Sequence, residues 1–259
     1  MYSSNFILFA SFIFGSCIGS FLNVCILRIP NDISIAFPPS SCTNCDTPIK
    51  WYDNIPVLSY IFLLGRCRKC KEKISLQYPI IELFTGFMAF YTVFSFSLTL
   101  KSLFVFVFVC VLTVISVIDL HHKIIPDIIS LPGIPVFLVL ALLIDETSFT
   151  DLVLGILAGG GILYLIAFGY YLLTKKEGMG GGDIKLLAMI GAFTGFKGVF
   201  FTIFSSSLIG TAAGIFLMIL KGRNMKYAIP FGPFLSLGAL IYIYFGDIII
   251  FHYINFIRG

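Results

Sequence analysis

Phe104-Val-Phe-Val-Phe-Val-Cys110-Val-Leu-Thr-Val-Ile-Ser-Val-Ile118-Asp119-Leu-His-His122 is an apolar run that ends on a carboxylate. It has the length of the ~20-residue helix that a bilayer needs. An ionisable group at the edge of a bilayer core is expensive and marks a functional-site candidate. A second aspartate answers the first: Asp183 follows the stretch Gly178-Met-Gly-Gly-Gly182 and opens another apolar segment. Two carboxylates that can meet form an acid–base pair, so the reading turns on whether both lie on one side of a membrane.

The rest of the chain supports the membrane. Of its 259 residues, 58% are hydrophobic and 12% charged, with a mean hydropathy of +1.01. A soluble domain carries about 25% charged residues. Eight spans are expected: 5–27, 78–97, 102–120, 127–144, 152–173, 184–196, 199–220 and 229–254, the sixth being short. Gly15, Gly19 and Ser20 stand at the small-residue spacing that suits close helix packing. The first apolar run is too long for a cleavable signal, and its basic residues come only after it. Residues 31–75 are polar and hold much of the charge, four cysteines and several prolines. The expected fold is an all-α polytopic bundle with about eight transmembrane helices and a small zinc-ribbon-like cytoplasmic insert. Its expected parts are a first helix (1–27), a four-Cys domain (28–76) and a transmembrane core (77–259).

Lys and Arg set the orientation. With the N-terminus outside, fourteen of the 17 fall inside, and only Lys101, Lys197 and Arg258 fall outside. Asp119 then ends an inward-running span and Asp183 starts an outward-running one, both at the cytoplasmic face.

Such a pair hydrolyses a peptide bond when one carboxylate activates a water and the other donates to the carbonyl; the two titrate as a unit. Gly180 and Gly182 let backbone approach backbone and leave room for an extended substrate. Simpler roles compete. Asp119 can end a helix or pair with His121, His122 or Lys123, and Asp183 can be an N-cap. Asp127, behind Pro126, reads first as a cap and is the substitute for Asp119. His121 and His122 read as interfacial polar residues.

Cys42-Thr-Asn-Cys45 and Cys67-Arg-Lys-Cys70 are two CxxC knuckles in one polar stretch, the pattern of a four-thiolate structural zinc site. A cytoplasmic location disfavours disulfides, and Arg68, Lys69 and Lys71 favour thiolates. A redox pair remains a competing use, and an iron–sulfur cluster takes the same ligands. Cys17, Cys25 and Cys110 lie within spans and read as small hydrophobes.

Taken in order, these features resemble the type IV prepilin peptidases, leader peptidase/N-methyltransferases of the GxGD aspartic type. Gly19-Ser-Phe-Leu-Asn-Val-Cys-Ile-Leu-Arg28-Ile-Pro30 is similar to the family's first-span motif. The CxxC pairs, Asn54-Ile-Pro56, Gly65-Arg-Cys67 and Ile74-Ser-Leu-Gln-Tyr-Pro79-Ile-Ile-Glu82-Leu-Phe-Thr-Gly86 resemble its cytoplasmic domain. Ile118-Asp119 through Ile125-Pro126-Asp127 resembles the first catalytic motif, and Gly180-Gly-Gly182-Asp183-Ile-Lys185 the GxGD motif. Pro230-Phe-Gly-Pro233-Phe-Leu resembles the last-span motif. Thr43 stands where the family often has Pro, and Gln77 replaces a frequent Arg.

The resemblance implies a bacterial inner-membrane enzyme. It would cut the basic leader from a prepilin or pseudopilin at the cytoplasmic face, typically after Gly. It would then methylate the new amino terminus, typically Phe, with S-adenosylmethionine. Asp119 and Asp183 carry over as the catalytic aspartates. The implied partners are the substrate and the lipid bilayer, with no nucleic acid. No glycine-rich Rossmann turn follows a strand, so any cofactor site is non-standard. Glu82, the only carboxylate of the second span, is the first choice for holding the cofactor or the incoming amine, or else packs against a Lys or Arg. Asp53, Asn54, Arg66 and Tyr78 are weaker choices. A GxGD peptidase without methyltransferase activity is the alternative. A metal-handling or transport protein would want polar ligands in several spans, and midspan polar residues are scarce here.

Overall fold

The apolar periodicity resolves into helices, and the computed structural model describes residues 2–175, 180–221 and 229–258. Lys176, Arg223 and Lys226 of the charge count, and Gly178 and Met179 of the glycine run, lie outside the described residues. The helices are α1 (Tyr2–Arg28), α2 (Leu58–Phe62), α3 (Gln77–Phe96), α4 (Leu100–His122), α5 (Asp127–Ile144), α6 (Phe149–Thr174), α7 (Gly181–Lys221) and α8 (Gly232–Arg258). All but α2 are long and apolar enough to cross a membrane, which makes seven among the described residues. No strand forms among them; two isolated bridges, Ser41 with Pro48 and Arg66 with Lys73, occur in the cysteine-bearing loop.

The expected sixth and seventh spans are the two halves of α7. The two halves follow each other without a loop but are broken from one another, so the eight expected spans correspond to seven helices of which α7 has two arms. The break is at Gly195, whose φ of 71° and ψ of −174° are not helical. A continuous helix would carry Val199 about 12 Å along the axis from Gly191. Instead, a Cβ placed on Gly191 would lie 2.9 Å from Val199 Cγ2. The chain therefore turns back sharply, which the left-handed φ of a glycine permits without a Cβ clash.

The chain divides into two compact units, 1–114 and 115–259. In the first, α1 and α3 run antiparallel and nearly touch. A Cβ on Gly19 would sit 2.8 Å from Glu82 Cα, and Gly15 is packed as closely against Thr85 and Ala89. The small-residue spacing of α1 is thus the surface on which α3 lies. Asn23, buried in α1, donates through Nδ2 to the Tyr78 carbonyl at 3.1 Å.

In the second unit, α6 packs antiparallel on the first half of α7, where Gly155 meets Gly191 and Gly159 meets the Leu187 carbonyl. Gly133 of α5 admits Met189, and Gly238 of α8 lies on Thr202 and Ser205 in the second half of α7. Leu186, Leu187, Met189, Ile190 and Leu235 are fully buried among these contacts. Lipid gives helices no hydrophobic reason to associate, so close packing at small residues carries the association. Gly191→Leu is expected to lower the stability of the purified protein by about 1–3 kcal/mol through overpacking. Gly161, with nothing within 4 Å of a placed Cβ, is the control, and Gly161→Leu should change the melting temperature little. Equal shifts for both in thermal melts would contradict the packing described.

Candidate active site and four-cysteine centre

Four helix ends meet at one end of the second unit: the C-terminus of α4 and the N-termini of α5, α7 and α8. Asp119 is on the last turn of α4 and only 5% exposed. A carboxylate so placed needs a partner. It finds one in the backbone N–H of Gly232, which donates to Asp119 Oδ2 at 3.0 Å. Gly232 is the first residue of α8, where unpaired amide donors and the positive end of the helix dipole favour an anion. A side chain there would displace Asp119: a Cβ on Gly232 would sit 2.7 Å from Asp119 Oδ2.

Asp183 is half-buried in the first turn of α7. Its N–H donates to the Gly180 carbonyl at 3.2 Å, so the glycine run folds back to start the helix. Asp119 is its charged neighbour. Ile125 spans the gap between their supports, since placed Cβ atoms on Gly182 and Gly232 would lie 2.8 Å and 3.3 Å from its side chain. The two aspartates are thus brought together around one buried isoleucine, each beside a glycine on which a Cβ would crowd a side chain of the site.

Asp127 does not join them. Its carboxylate is held by Lys185 Nζ at 2.7 and 2.8 Å, and the pair is partly exposed. The GGGDIK segment therefore sends Asp183 to Asp119 and Lys185 to Asp127. His121 and His122 are exposed at the end of α4.

In the first unit, Cys42, Cys45, Cys67 and Cys70 place their four sulfur atoms within 4.8 Å of one another. The two knuckles are built alike. Cys42 N–H donates to Thr47 O and Asp46 N–H to Cys42 O at 3.0 and 2.9 Å; Cys67 and Lys71 repeat this with Glu72 and Cys67 at 2.8 and 3.1 Å. Asp46 and Lys71 both take positive φ, 51° and 61°, to close the turns. The Cys42–Cys70 sulfur separation is 3.7 Å, against about 3.8 Å for the edge of a tetrahedron with metal–sulfur bonds of about 2.3 Å. The Thr47 hydroxyl holds the Cys45 thiol down to about 6. Hydrogen bonds from the Cys70 and Lys69 backbone lower Cys67. Against a Glu72 backbone hydrogen bond that lowers it, desolvation and the neighbouring thiols push Cys70 up to about 11. Four sulfur atoms gathered this closely suit a divalent cation.

The weaker sequence candidates surround this centre. Asp53 takes a two-point hydrogen bond from Arg68, at 2.8 and 2.6 Å, and the guanidinium holds its carboxyl below the usual range. Arg68 also lies over the Tyr52 ring at 5.7 Å. Arg66 bridges to Lys73. Tyr78 serves through its carbonyl, which accepts from Asn23. Glu82 is buried in α3, and it accepts the Val57 N–H at 2.7 Å. No Lys or Arg pairs with it among the contacts of the described residues. A separate cavity of about 260 Å³ is lined by Cys17, Ser20, Phe21, Arg28, Pro38 and Asn54 among others.

Sequence reasoning missed the Gly232 amide, the Lys185–Asp127 pair and the Val57 contact to Glu82. The first had one signal, the Pro230-Phe-Gly-Pro233 turn at the head of α8, whose role as a donor depends on which carboxylate it faces.

Comparisons with known proteins point to one family. Residues 13–96 match the family model for the bacterial peptidase A24 N-terminal domain, and residues 106–215 match the type IV leader peptidase family. A prepilin leader peptidase/N-methyltransferase of Aeromonas hydrophila is 35% identical over 91% of this chain and 90% of its own length. Proteins of the same description from Pseudomonas putida and Xanthomonas campestris are 32% identical (91% of this chain, 89% of theirs) and 34% identical (93% and 92%). No solved structure matches. Two aspartates at converging helix ends, a four-cysteine loop after the first span, and full-length relatives at this identity make the chain a member of the type IV leader peptidase family.

Proposed function

We propose that this chain is a membrane-embedded aspartyl endopeptidase that removes the leader from prepilins or pseudopilins and N-methylates the amino terminus so exposed. The relatives' description supports both activities. The observation that carries the peptidase reading is Asp119, buried and held by the Gly232 N–H, with Asp183 as its neighbour. The charge distribution along the sequence supports an N-terminus outside and a site at the cytoplasmic face of the bacterial inner membrane. There a leader would reach it from the cytoplasm while the apolar segment stays in the bilayer.

The chemistry follows from the partners of each carboxylate. A backbone N–H aimed at Asp119 Oδ2 stabilises a negative charge there. Asp119 is therefore the member that draws a proton from the attacking water. Asp183, with no donor of this kind among its described hydrogen bonds, is the member that keeps the shared proton and offers it to the scissile carbonyl. The proton taken by Asp119 passes to the leaving amine as the bond breaks. Gly180 and Gly182 leave the approach to Asp183 clear of side chains, so an extended peptide can lie beside it. Asp127 is assigned to holding Lys185 and the start of α7.

The cysteine donor set fits zinc, held by Cys42, Cys45, Cys67 and Cys70 with no open position, so the ion would fasten the two knuckles and take no part in a reaction step. The cavity beside α1 fits the amino-acid end of S-adenosylmethionine, which supplies the methyl group when bound. Arg28 spends Nη donors on the Ser34 and Pro38 carbonyls at 2.9 and 2.7 Å and retains others for a carboxylate.

Asp119→Asn and Asp183→Asn should each abolish cleavage of a co-expressed prepilin while the protein still inserts; Asp127→Asn should retain most of it. Pilin mass would settle this, and retained cleavage in either of the first two excludes the aspartyl mechanism. Gly232→Ala should push Asp119 aside and cost about 10²-fold in cleavage rate; a normal rate would deny the amide its role. Purified protein should hold about one zinc per chain, lost in Cys42→Ala and Cys70→Ala and kept in Asp119→Asn. Elemental analysis that finds no zinc in the wild type would remove the metal.

A further inference from the structure

Val57 takes φ 62° and ψ −50°. For a β-branched residue this is an outlier, because its Cβ crowds the backbone when φ is positive. Leu58 N–H closes on Pro56 O at 2.6 Å across it, which makes Pro56-Val57-Leu58 a γ-turn of the rare, strained, positive-φ form. Such strain persists only where the surroundings hold it, and it gathers at functional sites. Two groups hold this turn. Ser59 Oγ accepts the Ile55 N–H and donates to the Tyr52 carbonyl, at 2.9 and 3.0 Å. From α3, the Glu82 carboxylate accepts the N–H of Val57 itself at 2.7 Å.

Glu82 is 8% exposed. Its backbone lies against Gly19 of α1, the residue before Ser20. The carboxylate is thus occupied, which disfavours the direct contact with cofactor or amine expected from the sequence. What it holds is more informative. The strained turn comes three residues after Asn54, and Asn54 and Ser20 both line the 260 Å³ cavity that includes Arg28. Glu82 therefore touches both walls of that cavity: its backbone lies on Gly19, next to Ser20 of α1, and its carboxylate holds Val57 of the loop.

We propose that Glu82 is a positioning residue for methyl transfer: by holding the strained Val57 turn, it places Asn54 and the loop wall of the cavity beside α1. This rests on the reading of that cavity as the methyl-donor site. Its position explains why a carboxylate stands in an apolar helix with neither Lys nor Arg among its described partners: the partner is a backbone amide. Glutamine offers the same acceptor oxygen without the charge.

The test compares variants of the full-length enzyme, scored separately for prepilin cleavage and for methylation of the product. Glu82→Ala should lower methylation by about tenfold or more, the scale expected when a strained backbone loses its support, with cleavage unchanged. Glu82→Gln should methylate almost as wild type. Val57→Gly, which occupies positive φ without a Cβ clash, should recover part of the methylation lost in Glu82→Ala. Hydrogen exchange in residues 52–59 should quicken in Glu82→Ala and not in Glu82→Gln. The proposal is overturned if Glu82→Gln loses methylation as fully as Glu82→Ala, since the charge would then act directly. It is equally overturned if cleavage falls in step with methylation, if Val57→Gly recovers nothing, or if exchange in 52–59 is unchanged. A wild-type product without methylation would instead overturn the methyl-transfer reading, and the exchange comparison would still decide whether Glu82 holds the turn.

Discussion

A backbone N–H of α8 donated into a buried carboxylate of α4 is the contact on which the second unit depends. A carboxylate at the end of an apolar helix is costly unless it is hydrogen-bonded. Gly232 meets that need without adding a side chain to the space Asp119 occupies. The contact also fixes the geometry around it. It pins the start of α8 to the end of α4 and sets Ile125 against Gly232. Ile125 also closes on Gly182, so the start of α7, which carries Asp183, packs on the same isoleucine.

The helices that carry this site are joined by glycine. Gly155 meets Gly191, Gly159 meets Leu187, and Gly195 turns α7 back on itself. Each brings backbone against backbone where lipid supplies no hydrophobic drive. The first unit uses the same device in α1 and α3 and adds a different one. There, polar side chains close on backbone groups: Asn23 on Tyr78, Ser59 on Tyr52, Glu82 on Val57. On the proposed reading, a rigid site built on helix ends would serve hydrolysis, which needs two carboxylates kept in register. On the same reading, a loop held by a few side chains would serve a site that takes in a separate small molecule.

Much of this was legible in the sequence, and what was hidden was hidden for physical reasons. Hydropathy marks helices because every residue of a span contributes to it, and the CxxC spacing marks a four-sulfur cluster because both knuckles carry their ligands locally. The pairing of Asp119 with Asp183 was open against Asp127, since two aspartates eight residues apart both flank the same helix end. Lys185 separates them by engaging Asp127. The donor to Asp119 was not legible, because a backbone amide has no residue type of its own. The γ-turn was not legible either, because Val57 is the kind of residue that local propensity would keep out of it. The sixth and seventh spans were read as separate segments, and Gly195 does separate them, one residue before the expected end of the sixth.

The central claim is that Asp119 and Asp183 act as one aspartyl site while Asp127 stands apart. A peptide spanning the leader junction, with the scissile amide replaced by a hydroxyethylene group, mimics the tetrahedral centre and should sit between both carboxylates. Its inhibition constant can be compared through competition binding on the wild type and on Asn variants at the three positions. The expected result is tight binding that weakens sharply when either Asp119 or Asp183 is replaced and holds when Asp127 is replaced. Binding that is indifferent to Asp119 or to Asp183, or that depends on Asp127 as strongly, would contradict a shared site of this composition.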